Sequence, residues 1–267
     1  HMITVPNSEE LKDISTRIKV RFLTMYKNTN AGHIGSSLSC AEILTFIFFG
    51  WMDDSEDIIL SKGHAAAALY STIAEKKWLT NEEISTFYQN GTYLAAHPPG
   101  NKIKKIPFAT GSLGHGLSLA AGLGMANKLK NTHKKTFCIT SDGELNEGSI
   151  WEAVMFIAHH KLKNVIWFID KNNFQGFGTT DEVINMTSLP QKLQAFGFET
   201  IEINGHLFDD FFEAKKQLNI AQKPLVIICN TIKGKDWIPY ENTLDSHYIS
   251  FKENQYEETI AKLTAEP

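Results

Sequence analysis

The chain has 267 residues, of which 42% are hydrophobic, so it is long and apolar enough to bury a sizeable core. Its 26 basic and 30 acidic residues give a net charge of −4 without a dense Lys/Arg cluster, which argues against a nucleic acid or an anionic membrane as a partner. No apolar run approaches the roughly 20 residues that span a bilayer, and no signal peptide is recognisable.

The first half of the chain is predicted to be mainly helical. A helix opens at Ser8, because apolar residues recur along one face. The apolar run from Ile43 to Met52, interrupted by Thr45 and Gly50, suits a buried helix. The further elements predicted here are, in order, a strand at Asp57–Leu60, a helix at Gly63–Lys77, a helix capped by Thr80-Asn-Glu-Glu83 and a helix at Gly111–Lys130.

Strands and helices alternate in the second half. The predicted strands are Thr136–Thr140, Val165–Ile169, Phe198–Ile203 and Leu225–Asn230. The helices between them are Glu147–Leu162, Leu189–Phe196 and Phe208–Ala221. This alternation predicts an α/β fold with a mostly parallel sheet and helices on both faces, and the near-continuous apolar strands agree with burial on both sides.

The domain organisation follows from the lack of any repeat or linker. Residues 1–2 are interpreted as an expression-tag remnant, and residues 3–267 are predicted to form a single domain with an irregular segment from Lys233 to Phe251. Three widely separated cysteines, Cys40, Cys138 and Cys229, have no metal-type spacing. Their sparse, odd number predicts a reducing, cytoplasmic location.

The sharpest local signal is Ser141-Asp-Gly-Glu-Leu-Asn-Glu-Gly148, which directly follows a predicted strand and opens a helix. Ligands gather beyond the carboxyl ends of parallel strands, and a glycine at a helix start lets backbone N–H groups approach a phosphate. The next strand ends in Asp170-Lys-Asn-Asn-Phe-Gln-Gly176, which places Asn172 thirty residues after Asp142. Neighbouring strands lie about 4.8 Å apart, so both ends can converge on one ion.

A cation is needed at these strand ends because Asp142 would otherwise meet the phosphate as like charge. Carboxylate, amide and carbonyl oxygens are hard ligands that favour Mg²⁺, with Ca²⁺ or Mn²⁺ as alternatives. Each segment alone is equally consistent with an ordinary turn. Together, at successive strand ends, they predict a metal–diphosphate site.

These two segments resemble the thiamine diphosphate motif of the transketolase superfamily. Five further motifs occur in the order of the transketolase branch, and they are Ala31-Gly-His-Ile-Gly35, Leu60-Ser-Lys-Gly-His64, Ala96-His97-Pro98, Thr110-Gly-Ser-Leu-Gly-His-Gly116 and Asp245-Ser-His247. The resemblance spans roughly residues 8–251. It implies the thiamine diphosphate-binding fold of a diphosphate-binding (PP-type) domain.

The resemblance also implies roles for individual residues. The implied metal ligands are Asp142, the side chain of Asn172 and the main-chain carbonyl of Phe174. The implied diphosphate contacts are Gly143, His64 and His247, and the ring of His247 would also face the substrate. The residues implied near the aminopyrimidine and thiazolium rings are Gly111, Ser112 and Leu113, with Glu147 at a subunit contact close to the cofactor. The residues implied to meet the substrate hydroxyls and the developing alkoxide are His33 and His97.

The histidines fit this chemistry because proton transfer near neutral pH needs a group whose pKa lies close to 7. Of the ten histidines, only four fall inside these motifs with an implied role. No chemistry is assigned to His133, His159, His160 or His206. The Gly114-His-Gly116 cluster is a weak match to a dinucleotide loop, because no strand closely precedes it.

Three positions depart from the family pattern. His115 stands where many members have Gln, which can alter hydrogen bonding near the cofactor. Ser141 replaces a common Gly, and Ile34 replaces a frequent Pro after His33, which can change the pose of that loop.

The expected activity is transfer of a two-carbon ketol unit between sugars or sugar phosphates by a two-chain transketolase. In the family, the Glu that meets N1′ of the aminopyrimidine, and the aromatic groups that stack on it, belong to a second, pyrimidine-binding domain. No such domain is recognisable before Pro267, so we expect a separate C-terminal subunit in a two-plus-two heterotetramer. The alternatives are a subunit of another thiamine diphosphate enzyme, which decarboxylates a 2-oxoacid or forms an acyloin, and a non-catalytic interaction module. The donor and acceptor sugars and the pathway cannot be predicted from these motifs.

Overall fold

The centre of the molecule is a five-stranded parallel sheet with the strand order β1-β2-β3-β7-β6. A computed structural model describes residues 4–265, so the predicted tag remnant at residues 1–2 lies outside the described residues. The strands of the sheet are β1 (Asp57–Leu60), β2 (Thr136–Ser141), β3 (Val165–Lys171), β6 (Glu199–Asn204) and β7 (Leu225–Asn230), and a short antiparallel hairpin is formed by β4 (Phe174–Gln175) and β5 (Gly178–Thr179). The predicted mostly parallel α/β sheet is confirmed.

Helices cover both faces of the sheet. They are α1 (Ser8–Thr29), α2 (Ile34–Thr45), α3 (Ala66–Glu75), α4 (Asn81–Ser85), α5 (Gly116–Leu129), α6 (Gly148–His159), α7 (Thr180–Val183), α8 (Leu189–Phe196), α9 (Phe208–Leu218), α10 (Asp245–Tyr248) and α11 (Gln255–Thr264). A π-helical turn (Phe46–Trp51) extends α2, and 3₁₀ turns precede α3 (Gly63–Ala65) and α6 (Gly143–Asn146). The cap of α1 is Asn7, which forms a reciprocal capping box with Glu10.

Alternate side chains of each strand feed two separate cores. Phe137 and Ile139 of β2 pack with α1, α2, α3 and α9 on one face. Cys138 of β2 and Trp167 of β3 pack with α5, α6 and α8 on the other. Since successive side chains of a strand point to opposite faces, a strand between two helical layers must be apolar throughout. This is why β3 and β7 were recognisable in the sequence as near-continuous apolar runs, whereas the edge strand β6 is partly polar.

Several regions differ from the sequence prediction, among them the hairpin β4–β5 and the helices α7 and α11, for which no element was predicted. The helix predicted from Gly111 begins only at Gly116, because Gly111 (φ 138°) and Gly114 (φ 93°) adopt backbone conformations that a right-handed helix excludes. The segment predicted as irregular, Lys233 to Phe251, contains the short helix α10. The predictions of β7 and α8 were correct to the residue.

The apolar run predicted as a buried helix forms the end of α2 and the π-helical turn that follows. Within the described residues, Ile34–Trp51 is long and apolar enough to cross a bilayer by length and composition alone. Inside the fold, however, 89% of this stretch is buried. It has the burial expected of the core helix of a globular protein.

Candidate cofactor and substrate site

The predicted metal ligands lie together at the carboxyl ends of β2 and β3. Ser141 pairs with Asp170 in the sheet register, so Asp142 and Asn172 leave neighbouring strands on the same edge. Both side chains are buried, at 1% and 2% exposed. The Asp142 carboxylate accepts hydrogen bonds from the backbone N–H groups of Gly143 (2.9 Å) and Asn173 (2.7 Å). The Oδ1 atom of Asn172 accepts from the N–H of Phe174 at 3.0 Å, which holds this turn against the end of β3.

The electrostatics of this turn suit a cation. Burial, together with the nearby Asp170, raises the pKa of Asp142 to about 7. A positive ion beside the carboxylate would oppose both causes and stabilise its charged form. No group of three His, Cys, Asp or Glu side chains among residues 4–265 could hold a metal ion by itself. The oxygen set of one carboxylate, one amide and one main-chain carbonyl therefore needs further ligands, which diphosphate oxygens can provide.

A buried ion pair lies directly beneath these strand ends. Lys62 Nζ is 2.5 Å from Asp170 Oδ2, and both side chains are fully buried. Asp170 also accepts hydrogen bonds from Ser39 (2.6 Å) and Thr231. Burial lowers the pKa of Lys62, but the charge and hydrogen bond of Asp170, together with the nearby Cys40 and Asp142, more than offset burial, so the pKa is raised. The pair therefore joins the turn after β1, helix α2, strand β3 and the segment after β7 beside the site.

Four of the predicted histidines surround one cavity of about 310 Å³. The ring centre of His33 is 5.4 Å from that of His64, 6.4 Å from that of His97 and 4.9 Å from that of His247. The chain brings them together from four separate segments, spanning more than two hundred residues of sequence. Aromatic side chains, including Phe87, contribute to the wall of the same cavity.

His33 is held in a constrained pose at the start of α2. Its backbone adopts a left-handed conformation (φ 71°), which is uncommon for a residue with a side chain. Its N–H donates to the carbonyl of His247 at 3.0 Å. Burial and the adjacent His97 lower its pKa to about 4, so the ring is neutral at pH 7. Its Nδ1 atom is buried and has no hydrogen-bond partner among the described residues, so it is free to receive one from a bound molecule.

The ring of His247 has a defined tautomer because of Lys233. Lys233 Nζ lies 2.7 Å from His247 Nδ1. An ammonium group only donates, so Nδ1 accepts and the proton of the neutral ring is on Nε2. Burial and then Lys233 lower the pKa of His247 to about 3, while burial and Lys62 lower that of Lys233 to about 8. At neutral pH the pair therefore presents one cation and one neutral N–H donor.

The loop before α5 carries the predicted residues Gly111, Ser112 and Leu113, and Gly111 contacts one histidine of the cavity wall. An added Cβ at Gly111 would stand 2.8 Å from the ring of His97, so this backbone lies directly against the histidine. Ser112 is exposed and Leu113 is half-buried, which leaves the loop open to a ligand. Glu147 caps α6 without a side-chain hydrogen bond and is exposed. The rings of His64 and His247 lie 5.5 Å apart.

Three charged residues of this region had no role predicted from the sequence. Lys62 and Asp170 lie inside quoted motifs, but nothing in their spacing indicates that they pair. Lys233 falls in the segment predicted as irregular, and its only signal is its position just after a buried strand. A larger groove of about 650 Å³ lies between α1 and α4; none of the four histidines lines it, and it shares Phe87 with the histidine cavity. Its two arginines, Arg17 and Arg21, both pair with Glu75.

Comparison with known proteins identifies a family for this arrangement. Residues 12–267 match the model of the family described as transketolase, thiamine diphosphate binding domain. A subunit of apulose-4-phosphate transketolase from Phocaeicola vulgatus is 34% identical over 266 residues, covering 96% of this chain and 94% of that protein. The 6-deoxy-6-sulfo-D-fructose transketolase subunit SqwG of Clostridium sp. is 35% identical and is covered over 99% of its length.

Longer relatives match over part of their length. Human transketolase is 30% identical across 96% of this chain, which spans 42% of the human protein. The crystal structure of transketolase from Campylobacter jejuni superposes with a TM-score of 0.90 at 27% identity. That superposition covers 97% of this chain and 43% of the other. The chain thus spans less than half the length of these longer proteins.

Proposed function

Because the chain belongs to the transketolase family, with the family's thiamine diphosphate-binding domain, we propose that it is the diphosphate- and metal-binding component of a two-chain transketolase. The proposed reaction moves a two-carbon ketol unit between sugars or sugar phosphates. The observation that carries the proposal is the convergence of four histidines on one cavity, with the hairpin that follows Asn172 packed beside His247, where an added Cβ at Gly176 would lie 3.9 Å from Nε2 of that ring. Thiamine diphosphate, when bound, supplies the electron sink that lets the bond beside a ketone carbon break.

The diphosphate end of the cofactor is proposed to lie at the turn after β2. The ring of His64 and the ammonium of Lys233 offer a donor and a positive charge there, and the proposed contact of Gly143 is the close approach of its backbone, whose N–H donates to Asp142. A divalent cation, with Mg²⁺ favoured by the oxygen donors, would be held by Asp142, the side chain of Asn172 and the carbonyl of Phe174. The raised pKa of Asp142 supports this assignment, because it indicates that the charged carboxylate lacks a compensating positive charge. Both hydrogen bonds to this carboxylate within residues 4–265 come from neutral backbone N–H groups, and a cation would supply the missing charge.

The histidines are proposed to handle the protons of the sugar. His33 offers a buried Nδ1 atom without a partner among the described residues, and His97 stands beside it at the cavity wall. A neutral imidazole can accept a proton from a hydroxyl that becomes a carbonyl, or donate a hydrogen bond to an oxygen that gains charge. His247 is fixed by Lys233 as an Nε2–H donor, so its proposed part is to orient substrate or phosphate oxygens.

A separate subunit is proposed to complete the site. Two relatives that match this chain over nearly their whole length are named as transketolase subunits. Large apolar side chains stand exposed on α6 (Met155, Phe156) and around the hairpin (Phe177, Ile184), and Phe177 at the hairpin tip is 88% exposed. Large contiguous apolar patches mark surfaces that bind other proteins, and we propose that these side chains belong to the subunit interface. Glu147 caps the start of α6, and its proposed part is to meet the pyrimidine-binding subunit where that subunit closes the site.

The reaction class is tested with the chain, its partner subunit, thiamine diphosphate and Mg²⁺. Ketoses, ketose phosphates and pyruvate are offered in turn with an aldose or aldose phosphate acceptor. Transfer of two carbons to the acceptor without release of CO₂ is the expected result. Release of CO₂ from pyruvate, with no transfer from any ketose, would replace this proposal with a 2-oxoacid decarboxylase.

A further inference from the structure

Glu144 is a buried carboxylate that lies outside the roles assigned above. It belongs to the 3₁₀ turn Gly143–Asn146, directly after the proposed metal ligand Asp142, and it is fully buried. Its Oε1 atom accepts hydrogen bonds from the backbone N–H of Gly114 (2.8 Å) and from the hydroxyl of Ser61. Its Oε2 atom accepts from the N–H of Ser141 at 3.2 Å. One side chain therefore joins three segments that are far apart in sequence.

The hydroxyl of Ser61 extends this connection to the start of α5. Ser61 Oγ donates to Glu144 and accepts from the N–H of Gly116 at 3.1 Å. The two N–H groups of Gly114 and Gly116 are thus satisfied by Glu144, one directly and one through the serine. The negative charge also lies near the amino end of α5, where unpaired N–H groups and the helix dipole favour an anion.

The loop held in this way is Gly111–Gly116, which contacts the cavity wall at His97 through Gly111. On its other side, Ser149 Oγ donates to the carbonyl of Gly114 at 2.9 Å. An added Cβ at Gly114 would lie 2.6 Å from Glu147 Cβ, so the loop has no space to shift toward α6. Glu144 and α6 therefore fix the loop from two directions.

We propose that Glu144 is a positioning residue, which sets the spacing between the metal–diphosphate turn after β2 and the loop Gly111–Leu113 that receives the ring portion of thiamine diphosphate. The inference rests on the proposed function, since it concerns the same cofactor site. A carboxylate suits this task because all three partners are donors and it has only acceptors. A glutamine in its place has one acceptor oxygen and one NH₂ group, which only donates. The NH₂ group would then face another donor, either at Gly114 or at Ser141.

The first test measures amide hydrogen exchange of the chain without cofactor or partner. Glu144→Gln should accelerate exchange of the Gly114 and Gly116 amides by about 10-fold or more, because their protection is lost by local opening. Ser61→Ala should affect Gly116 more than Gly114. The matched control is Glu56→Gln, at the opposite end of the sheet, where a buried carboxylate also accepts backbone N–H bonds from Asp53 (2.9 Å) and Lys135 (3.0 Å).

The second test measures thiamine diphosphate binding by calorimetry on the assembled enzyme. Glu144→Gln should weaken affinity by about 10–100-fold, the usual cost of losing a group that orients a ligand shell, and Glu56→Gln should not. At saturating cofactor, KM for the donor sugar should stay within about twofold of the wild type. Equal loop exchange and equal cofactor affinity in both variants, with only thermal stability lowered, would overturn the positioning role. Absence of ketol transfer by the wild type would instead count against the proposed function, since the exchange experiment does not depend on it.

Discussion

Replacing Asp170 by Asn isolates the charge of the buried pair beneath the site. The amide keeps nearly the same shape and can still bond Ser39 and Thr231, which contribute two of the three hydrogen bonds to Asp170. What it removes is the countercharge of Lys62, whose side chain is fully buried. The Asp170→Asn variant therefore leaves a cation without a partner inside the fold.

The expected cost follows from that burial. Removing one member of a buried pair typically lowers the free energy of unfolding by about 3–5 kcal/mol, because the remaining charge has lost both water and its partner. For a chain of this size, each kcal/mol lowers Tm by about 2–4 °C, so Tm should fall by roughly 6–20 °C. The double variant Lys62→Met with Asp170→Asn should recover part of this loss, since no unpaired charge remains.

Thermal and urea denaturation of the chain without cofactor measure this effect. The matched control is Glu213→Gln, which breaks the exposed pair with Lys216, whose side chains are 67% and 69% exposed. That change should alter the free energy of unfolding by less than about 1 kcal/mol. If Asp170→Asn lowered the free energy of unfolding by less than about 1 kcal/mol, as the control does, the buried pair would not be strongly coupled and shielded from water.

Three further predictions concern the site. His33→Ala and His97→Ala should each lower kcat by about 10²–10³-fold with thiamine diphosphate affinity changed far less; full turnover in both variants would remove them from the reaction. Asp142→Ala should abolish metal-dependent cofactor retention while circular dichroism stays native, and calorimetry showing unchanged affinity in EDTA would contradict the metal site. The pKa values of His33 (about 4) and His247 (about 3) lie below the ordinary 6.5, so the unfolded chain binds more protons and these rings lower stability as pH falls from about 6.5 toward 4. Between about pH 6.5 and pH 4, the free energy of unfolding of His33→Asn should fall less than that of the wild type. An equal or larger fall would show that the pKa of His33 is not lowered in the folded chain.

The sheet was predictable because its strands lie between two helical layers. Val165–Ile169 is apolar at every position, and the structure uses both of its faces. The turns at Asp142 and Asn172 could also be predicted, because the sequence changes from apolar residues to short polar ones where each strand ends. In this respect local pattern and tertiary structure agree, which is the usual condition of a foldable sequence.

The parts that were missed depend on contacts between distant segments. Because the run after Gly116 is rich in Ala and Leu, the helix was predicted to include the preceding loop. In the structure, Gly111 and Gly114 of that loop have positive φ angles, which a right-handed helix excludes. The pairing of Lys62 with Asp170 crosses 108 residues, and that of Glu144 with Gly114 crosses 30. Neither leaves a periodic signal in the sequence. The role of Lys233 became visible only when the structure placed its ammonium beside His247.

The central claim is that this chain needs a second subunit to react, and a titration tests it most directly. A fixed amount of the purified chain, with thiamine diphosphate, Mg²⁺ and a good ketose donor, is assayed for ketol transfer while the pyrimidine-binding subunit is added. We expect no transfer by the chain alone and a rise that saturates at one partner per chain. Full turnover by the chain alone, unchanged by the partner, would contradict this claim.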